Sequence, residues 1–519
     1  MSFPYPKEFY YNMELLANLA AGFAALLGTE TIPWWQPMTV ITIGITIGIF
    51  VGVMPGLSAS TGLALMVPFT FGMEPLIAIV FLVAIYTSCA YGGTITAIAI
   101  NTPGTPAAVA VAMDGYSLTK QGQPGRALGA SLIANVMGGL TGALILILFS
   151  FPLAKIALKF GPPAFFSLAV FGLTIVAAME SKNRTKAFFS TALGLLLMTV
   201  GLDIINAHPR FTFGQTELFD GFSFIPALIG LFALGEILLN IEKTGAIQTS
   251  VKTFSSKLPR FGEMWKIRKN IFKGGAIGAL VGAVPGAGAT IAAFVAYGEA
   301  KRSSKEPEKF GTGSLEGIAA PSAAAGASEG GALVPLLTLG IPGSAATAVM
   351  IGALTLHNIT PGPELFKNNP VLVYALFASL FVGIAFMLLV GFLGTKLWVK
   401  LIEAPRAVLF PVIMTIAFVG SFAVKNSMFD VYVCLGFGVL GWLLRRNGFP
   451  TAPLVLAMIL GKMAETNFRQ ALLSEGTWTV FFTNPLSLGL LILAVFSLLW
   501  PILKERRKRS STENQGQNA

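Results

Sequence analysis

The chain has 519 residues, 54% of them hydrophobic and 11% charged, with a formal net charge of +11. A soluble chain carries about a quarter charged residues, so this one has too little polar surface to cover a water-exposed globule. Its basic residues sit between long apolar blocks, where Lys and Arg orient membrane helices, and that argues against nucleic acid as their partner.

Taken in order, the apolar blocks fall near 10–28, 75–91, 127–150, 164–180, 187–205, 224–240, 315–331, 371–395, 408–424, 428–444, 451–464 and 486–503. At roughly 20 residues or somewhat less per crossing, they predict an all-α polytopic membrane protein with about twelve transmembrane helices. No basic region followed by a small-residue cleavage site opens the chain, so Met13–Leu27 is expected to remain as a first helix. Basic residues cluster at Lys120 and Arg126, at Lys182, Arg184 and Lys186, between Lys243 and Lys273, at Lys396, Lys400 and Arg406, at Arg445 and Arg446, and in the tail from Lys504 to Arg509. Excess Lys and Arg stay in the cytoplasm, which puts these loops and both termini inside. The cysteines, Cys89 and Cys434, read as small buried apolar residues, and the histidines, His208 and His357, lack metal-ligand spacing.

The sequence repeats itself. Val51-Gly52-Val53-Met54-Pro55-Gly56 returns as Val281-Gly282-Ala283-Val284-Pro285-Gly286, an offset of 230 residues (285 minus 55). Gly92-Gly93 and Pro103-Gly104-Thr105 return as Gly330-Gly331 and Pro342-Gly343-Ser344, the latter an offset of 239 (342 minus 103). Copy one follows Thr29–Pro37, which has no basic residue, and copy two follows the most basic loop in the chain, so the repeat is expected to be inverted. The expected organisation is a first half at 1–240 with re-entrant hairpins near 38–71 and 94–113, a basic cytoplasmic linker at 241–270, a second half at 271–503 with hairpins near 271–300 and 332–356, and a cytoplasmic tail at 504–519. Inverted repeats with broken helices near the midplane mark secondary transporters.

The hairpin tips are Pro55-Gly56, Pro103-Gly104, Pro285-Gly286 and Pro342-Gly343. Proline lacks an N–H and glycine admits positive φ, so each pair ends a helix and turns the chain. Helix N-termini at such tips offer N–H groups and partial positive charge to an anion. Beside the tips lie Ser58, Ser60, Thr94, Asn101, Thr102, Thr105, Thr290 and Ser344, which with Gly104, Gly286 and Gly343 form the expected substrate-binding set. Small residues also let membrane helices pack closely, which is the competing role for any one of them. Helix C-termini and unwound carbonyls suit sodium, so Gly93, Gly331 and Glu329 are candidates for a coupling sodium ion; the sequence does not choose between sodium and a proton, and no other cofactor is expected. Among the nearby acids, Asp114 and Glu316 read as interfacial or satisfied, whereas Glu329, immediately before the second Gly-Gly, is either an acid at membrane depth, and so a functional candidate, or one facing the outer aqueous side.

From Leu15 to Leu503 the chain resembles the large membrane subunit of the tripartite tricarboxylate transporter family. The resemblance is carried by Gly52-Val53-Met54-Pro55-Gly56-Leu57, Tyr91-Gly92-Gly93-Thr94, Asn101-Thr102-Pro103-Gly104-Thr105-Pro106, Asp114-Gly115-Tyr116, Gly122 to Gly129, Pro209-Arg210-Phe211-Thr212-Phe213-Gly214 and Pro335 to Ser344. One stretch departs: Pro321 to Glu329 lacks the asparagine pair of the family pattern. The resemblance implies a transporter of small carboxylates, di- or tricarboxylates or related organic acids, in the cell inner membrane. It implies two partners, a small membrane subunit and a periplasmic solute-binding protein, and an ion gradient as the driving force. The chain has no Gly-x-x-x-x-Gly-Lys-Ser/Thr phosphate loop, in keeping with the absence of ATP chemistry. A channel or scaffold subunit without coupled transport is the alternative. An intramembrane enzyme is not expected, since no His pairs with Ser or Cys in a recognisable motif.

Overall fold

The computed structural model describes residues 7–29, 32–179, 184–203, 205–242, 258–395, 397–398 and 406–499. The tail at 504–519, the central part of the basic linker at 243–257, and Lys182, Lys396 and Lys400 lie outside the described residues.

In chain order the helices are α1 (Lys7–Leu26), α2 (Trp35–Val53), α3 (Ala59–Met66), α4 (Pro75–Ile100), α5 (Ala108–Lys120), α6 (Pro124–Ala157), α7 (Pro162–Met179) and α8 (Arg184–Met198). A two-stranded antiparallel pair follows, β1 (Gly201–Leu202) and β2 (Pro209–Arg210). Then come α9 (Phe224–Glu242), α10 (Phe261–Lys266), α11 (Arg268–Gly282), α12 (Gly288–Ser303), α13 (Leu315–Leu339) and α14 (Ala345–Leu356). The last are α15 (Leu365–Asn368), α16 (Pro370–Leu393), α17 (Arg406–Lys425), α18 (Met428–Arg446), α19 (Ala452–Glu475), α20 (Val480–Thr483) and α21 (Pro485–Leu499). The fold is all-α apart from the short strand pair.

Among the described residues seven helices are long and apolar enough to cross a membrane: α2, α4, α6, α9, α16, α18 and, from Val408, α17. Shorter apolar helices, including α3, α7, α14 and α21, supplement them. Four expected crossings take a different form for local reasons. The 25-residue α13 is long enough but carries Glu316 and Glu329 among Ala and Gly. The polar second half of α19 carries Lys462, Glu465 and Arg469. The block at 187–205 stops at Met198, where the chain turns into β1. The block at 75–91 and the hairpin arm expected from Thr94 are one 26-residue helix, because Gly92-Gly93 is packed against α2 rather than solvated and does not break it. Similarly, α13 runs through Ala332 to Leu339, and α2 is a 19-residue helix rather than a short arm.

The chain folds as two compact units, each drawn from two stretches: residues 1–155 with 224–442, and 156–223 with 443–519. In the second unit, α19 packs against α7 and α8. Its strand pair is tied to α19 by Arg210, which reaches Glu465 at 2.6 Å, and by Arg469, which reaches Asp203 at 2.8 Å and Glu465 at 3.0 Å. Asp203 also accepts the N–H groups of Ile205 and Asn206, each at 3.0 Å. The Asn206 and Ile205 N–H groups, with Arg469, hold the Asp203 carboxyl down at about 2.

The first unit is organised by two helix pairs that repeat each other. Gly44, Gly48 and Gly52 of α2 lie against the carbonyls of Phe81, Ile85 and Cys89 on α4. Gly274, Gly278 and Gly282 of α11 lie against the carbonyls of Ala320, Ala324 and Ser328 on α13. The glycines recur at the first offset and their partners at the second. A Cβ at any of them would meet backbone, so the small-residue stripe allows the close approach. Facing contacts recur too, Gly92 against Ile49 on one side and Gly331 against Ala279 on the other. The partner of Gly92 is therefore Gly331, not Gly330: the sequence match of the two Gly-Gly pairs is out of register by one residue.

Candidate substrate site

All four Pro-Gly pairs fall in breaks between helices of the first unit. Met54–Ser58 separates α2 from α3, and Ala283–Ala287 separates α11 from α12. Asn101–Ala107 separates α4 from α5, and Gly340–Ser344 separates α13 from α14. Gly56 and Gly286 take φ of +93° and +82°, and Asn101 and Gly340 cap α4 and α13 at φ of 56° and 70°, all in the left-handed region.

One cavity of about 160 Å³ is lined by residues that follow each break. Ser58 and Ser60 come from the start of α3, and Gly288 and Thr290 from the start of α12. Thr105 and Ala107 come from the approach to α5, and Ser344 and Ala346 from the start of α14. Tyr86 and Ala90 on α4, with Ser328, Glu329 and Ala332 on α13, complete the wall. The N-termini of four helices thus open onto one space.

Local chemistry fixes these ends. Ser58 caps α3 by accepting Thr61 N–H at 3.4 Å, and its Oγ lies 2.8 Å from that of Ser60. Ser344 caps α14 by accepting Thr347 N–H at 3.3 Å, and Thr347 Oγ1 accepts Ser344 N–H at 2.8 Å, a reciprocal box. Tyr86 Oη approaches Ser344 Oγ at 3.5 Å. Thr105 Oγ1 is buried and has no hydrogen-bond partner among the described residues. Among the described residues no Lys, Arg or His lines the cavity, and Glu329 is the one carboxyl group that does.

Of the expected binding residues, Ser58, Ser60, Thr105, Thr290 and Ser344 line this cavity. Thr94, Asn101, Thr102, Gly104, Gly286 and Gly343 are not among its lining residues. Thr94 donates to Tyr91 O at 2.7 Å and accepts from Ser131 of α6 at 2.9 Å, so it joins two helices. Asn101 is the exposed left-handed cap of α4, and Thr102 donates to Ile100 O at 3.4 Å. Gly104 N–H donates to Gly93 O at 3.2 Å, and Gly286 N–H donates to Gly343 O at 3.0 Å. A Cβ on Gly104 would strike Gly52 O, and one on Gly343 would meet Ala332 Cα. These tip glycines bring the breaks close to one another and to the adjoining helices.

Sodium at Gly93, Gly331 and Glu329 remains an expectation. Gly93 O accepts Gly104 N–H and, at 3.3 Å, Thr96 Oγ1, while Gly331 packs on Ala279. Glu329 is 5% exposed and makes no hydrogen bond or ion pair with a described residue. Asp114, by contrast, is fully satisfied: Oδ1 accepts the N–H groups of Gly311, Gly313 and Ser314 at 2.8, 2.9 and 2.7 Å, and Oδ2 accepts Tyr297 Oη–H at 3.0 Å. Sequence reasoning missed Tyr86, Ala90 and Ser328, which stand on continuous apolar helices with no break to draw attention to them.

A family model described as "Tripartite tricarboxylate transporter TctA family" matches residues 38–456. An uncharacterized 52.8 kDa protein in the TAR-I ttuC' 3' region of Agrobacterium vitis is 35% identical over 505 residues, 96% of this chain and 99% of the relative. A second uncharacterized protein, in the TAR-II ttuC' 3' region of the same organism, is 38% identical over 241 residues, 46% of this chain and 100% of that protein. No solved structure matches.

Proposed function

This chain belongs to the tripartite tricarboxylate transporter TctA family, and on that basis we propose that its cavity is the binding site of an ion-gradient-driven importer of small carboxylates. The observation that carries the reading is the meeting of four helix N-termini and the hydroxyls of Ser58, Ser60, Thr105, Thr290 and Ser344 around one space that no basic side chain lines among the described residues. A carboxylate in a low-dielectric site must be compensated. Helix N-termini supply partial positive charge and N–H groups, and hydroxyls donate to carboxylate oxygens without bulk. Charge compensated by dipoles rather than by a fixed cation gives reversible binding, which a carrier requires.

The recurring contacts of α2 with α4 and of α11 with α13 support an internal repeat, and the opposite charge of the sequences leading into its two copies supports inversion. In this reading the chain is a multi-pass protein of the inner membrane with cytoplasmic termini. A periplasmic binding protein delivers the carboxylate and a small membrane subunit accompanies this one. The chain is a transporter subunit and not an enzyme.

The test is uptake of labelled mono-, di- and tricarboxylates by the reconstituted three-part complex. Saturable, gradient-dependent accumulation of at least one is expected. Flux that never exceeds equilibrium would favour a channel, and no flux in any condition would overturn the reading.

A further inference from the structure

The recurring contacts pair several positions on one side of the cavity with counterparts on the other. Ser60 corresponds to Thr290 and Thr105 to Ser344, so hydroxyl answers hydroxyl. One pair differs in charge: Ala90 on α4 corresponds to Glu329 on α13, and both line the cavity. Glu329 stands about 21 Å along α13 from its start and about 15 Å from its end, at the usual rise per residue. It is therefore a carboxyl near the middle of a long buried helix, and an acid so placed is a functional candidate.

Its surroundings favour a proton over a metal cation. The helix is continuous through Glu329; Pro335, which has no N–H, leaves the Gly331 carbonyl without its i+4 partner, but a single such carbonyl forms no unwound cage. Among the described residues no second carboxyl group lines the cavity, and no cluster of three potential metal ligands exists. The titratable groups coupled to Glu329 are Tyr86 and Cys89, both on α4, and neither is a cation. The other elements lining the spaces beside it (α3, α5, α6, α12, α14 and α16) present no Lys, Arg, His, Asp or Glu there.

Glu329 also borders a second, enclosed space of about 10 Å³, shared with Thr87 of α4 and Asn135 of α6. That is room for about one water. Both polar atoms of the Asn135 amide are buried without a partner. An amide is both donor and acceptor, so through one water it can serve either protonation state of the carboxyl.

We propose that Glu329 is the coupling residue of the cavity, taking up one proton with the incoming carboxylate and releasing it to the cytoplasm when the carboxylate leaves. The proposal rests on the carboxylate reading of the cavity. Two anions in one low-dielectric space repel, so substrate enters when Glu329 Oε carries a proton. After the carboxylate departs, that proton goes to cytoplasmic water and leaves an ionised carboxyl group; a proton from the outer side restores it for the next turnover.

The test uses the reconstituted three-part complex and the same panel of labelled carboxylates in two modes, exchange at equal pH and accumulation driven by an inward acid gradient without sodium. Wild type should do both. E329Q, with the shape of the protonated acid, should keep exchange and lose accumulation, and its substrate affinity should no longer fall as pH rises. E329D should retain coupling at a reduced rate, which separates lost chemistry from lost folding. Acid-driven accumulation by E329Q, or wild-type accumulation that needs a sodium gradient and ignores pH, would overturn the proposal alone. A wild type that moves no carboxylate in either mode would bring down the carboxylate reading, and this proposal with it.

Discussion

Asp114 and Glu329 are both buried acids of the same unit, and each occupies a place where the other repeat has alanine, Ala353 and Ala90 respectively. Asp114 accepts four hydrogen bonds that tie α5 to α12 and to the loop before α13. Glu329 accepts none from a described residue and faces the cavity. Burial alone therefore does not distinguish a structural acid from a functional one; the inventory of partners does. A satisfied carboxylate stabilises a fold, whereas one without partners on its own chain is maintained at a cost in stability and points to a ligand or a proton.

The largest expected effect follows from that contrast. Asp114→Ala leaves three backbone N–H groups and a tyrosine hydroxyl without their acceptor, and should cost about 3–5 kcal/mol, a large share of a typical total stability. Membrane abundance and the thermal midpoint of the purified protein should both fall steeply, whereas Glu329→Gln should leave them unchanged or raised. A Glu329 variant as unstable as Asp114→Ala would erase the distinction.

Next come the two helix pairs. Gly52→Leu would drive a side chain into Cys89 O and Gly282→Leu would drive one into Ser328 O. Overpacking of this kind typically costs about 1–3 kcal/mol. Because the contacts recur, the two variants should lower folded abundance to a similar degree, measured by fluorescence-detected size exclusion. Strong sensitivity at one site and tolerance at the other would mean that the repeats are alike in sequence but not in load.

The Pro-Gly breaks were the most legible feature of the sequence, because Pro and Gly act on the backbone locally and need no tertiary context. Residues beside the four breaks line one cavity, although none of the eight Pro and Gly residues themselves does. Less legible was the route of α4. Its run from Leu76 to Ala99 is buried throughout, so it has no polar face to set a periodicity, and Gly92-Gly93 looked like a boundary. The facing glycines of α2 explain why it is not one. The same lack of contrast hid Tyr86 and Ser328, and it hid the one-residue slip between the two Gly-Gly pairs, which appears only when each glycine is matched to its neighbour across the interface. The strand pair at 201–210 had no sequence signal, being held by Asp203, Arg210, Glu465 and Arg469 across more than 250 residues of chain.

A smaller effect separates two hydroxyls that occupy matching places. Thr105 Oγ1 has no protein partner, so Thr105→Ala should weaken carboxylate affinity by about 1.5–3 kcal/mol, as for one bond to a charged group, with the melting temperature unchanged. Ser344 caps α14, so Ser344→Ala should lose affinity and also about 1 kcal/mol of stability, the usual worth of such a cap. A Ser344→Thr variant keeps the hydroxyl and should recover most of both. Equal loss of stability at the two sites would show that Thr105 has a structural duty that its unpartnered hydroxyl conceals.

The smallest expected effect concerns Ser60 and Thr290, which face each other in sequence position but not in engagement. Ser60 Oγ is 2.8 Å from Ser58 Oγ, so part of its hydrogen-bonding capacity is already spent on the chain that caps α3. Thr290, at the start of α12, lines the same cavity and makes no hydrogen bond to a described residue. If both hydroxyls contact the bound anion, removing the unengaged one should cost more. Thr290→Ala should reduce affinity by about 1 kcal/mol, within the range for a single ordinary hydrogen bond, and Ser60→Ala by less, since Ser58 can reorient toward the ligand in its place. Competition binding of the carboxylate that the uptake panel identifies would measure both. The reverse ranking, with Ser60→Ala the more damaging, would place the anion against the α3 side of the cavity and make the first repeat, not the second, the one that holds it.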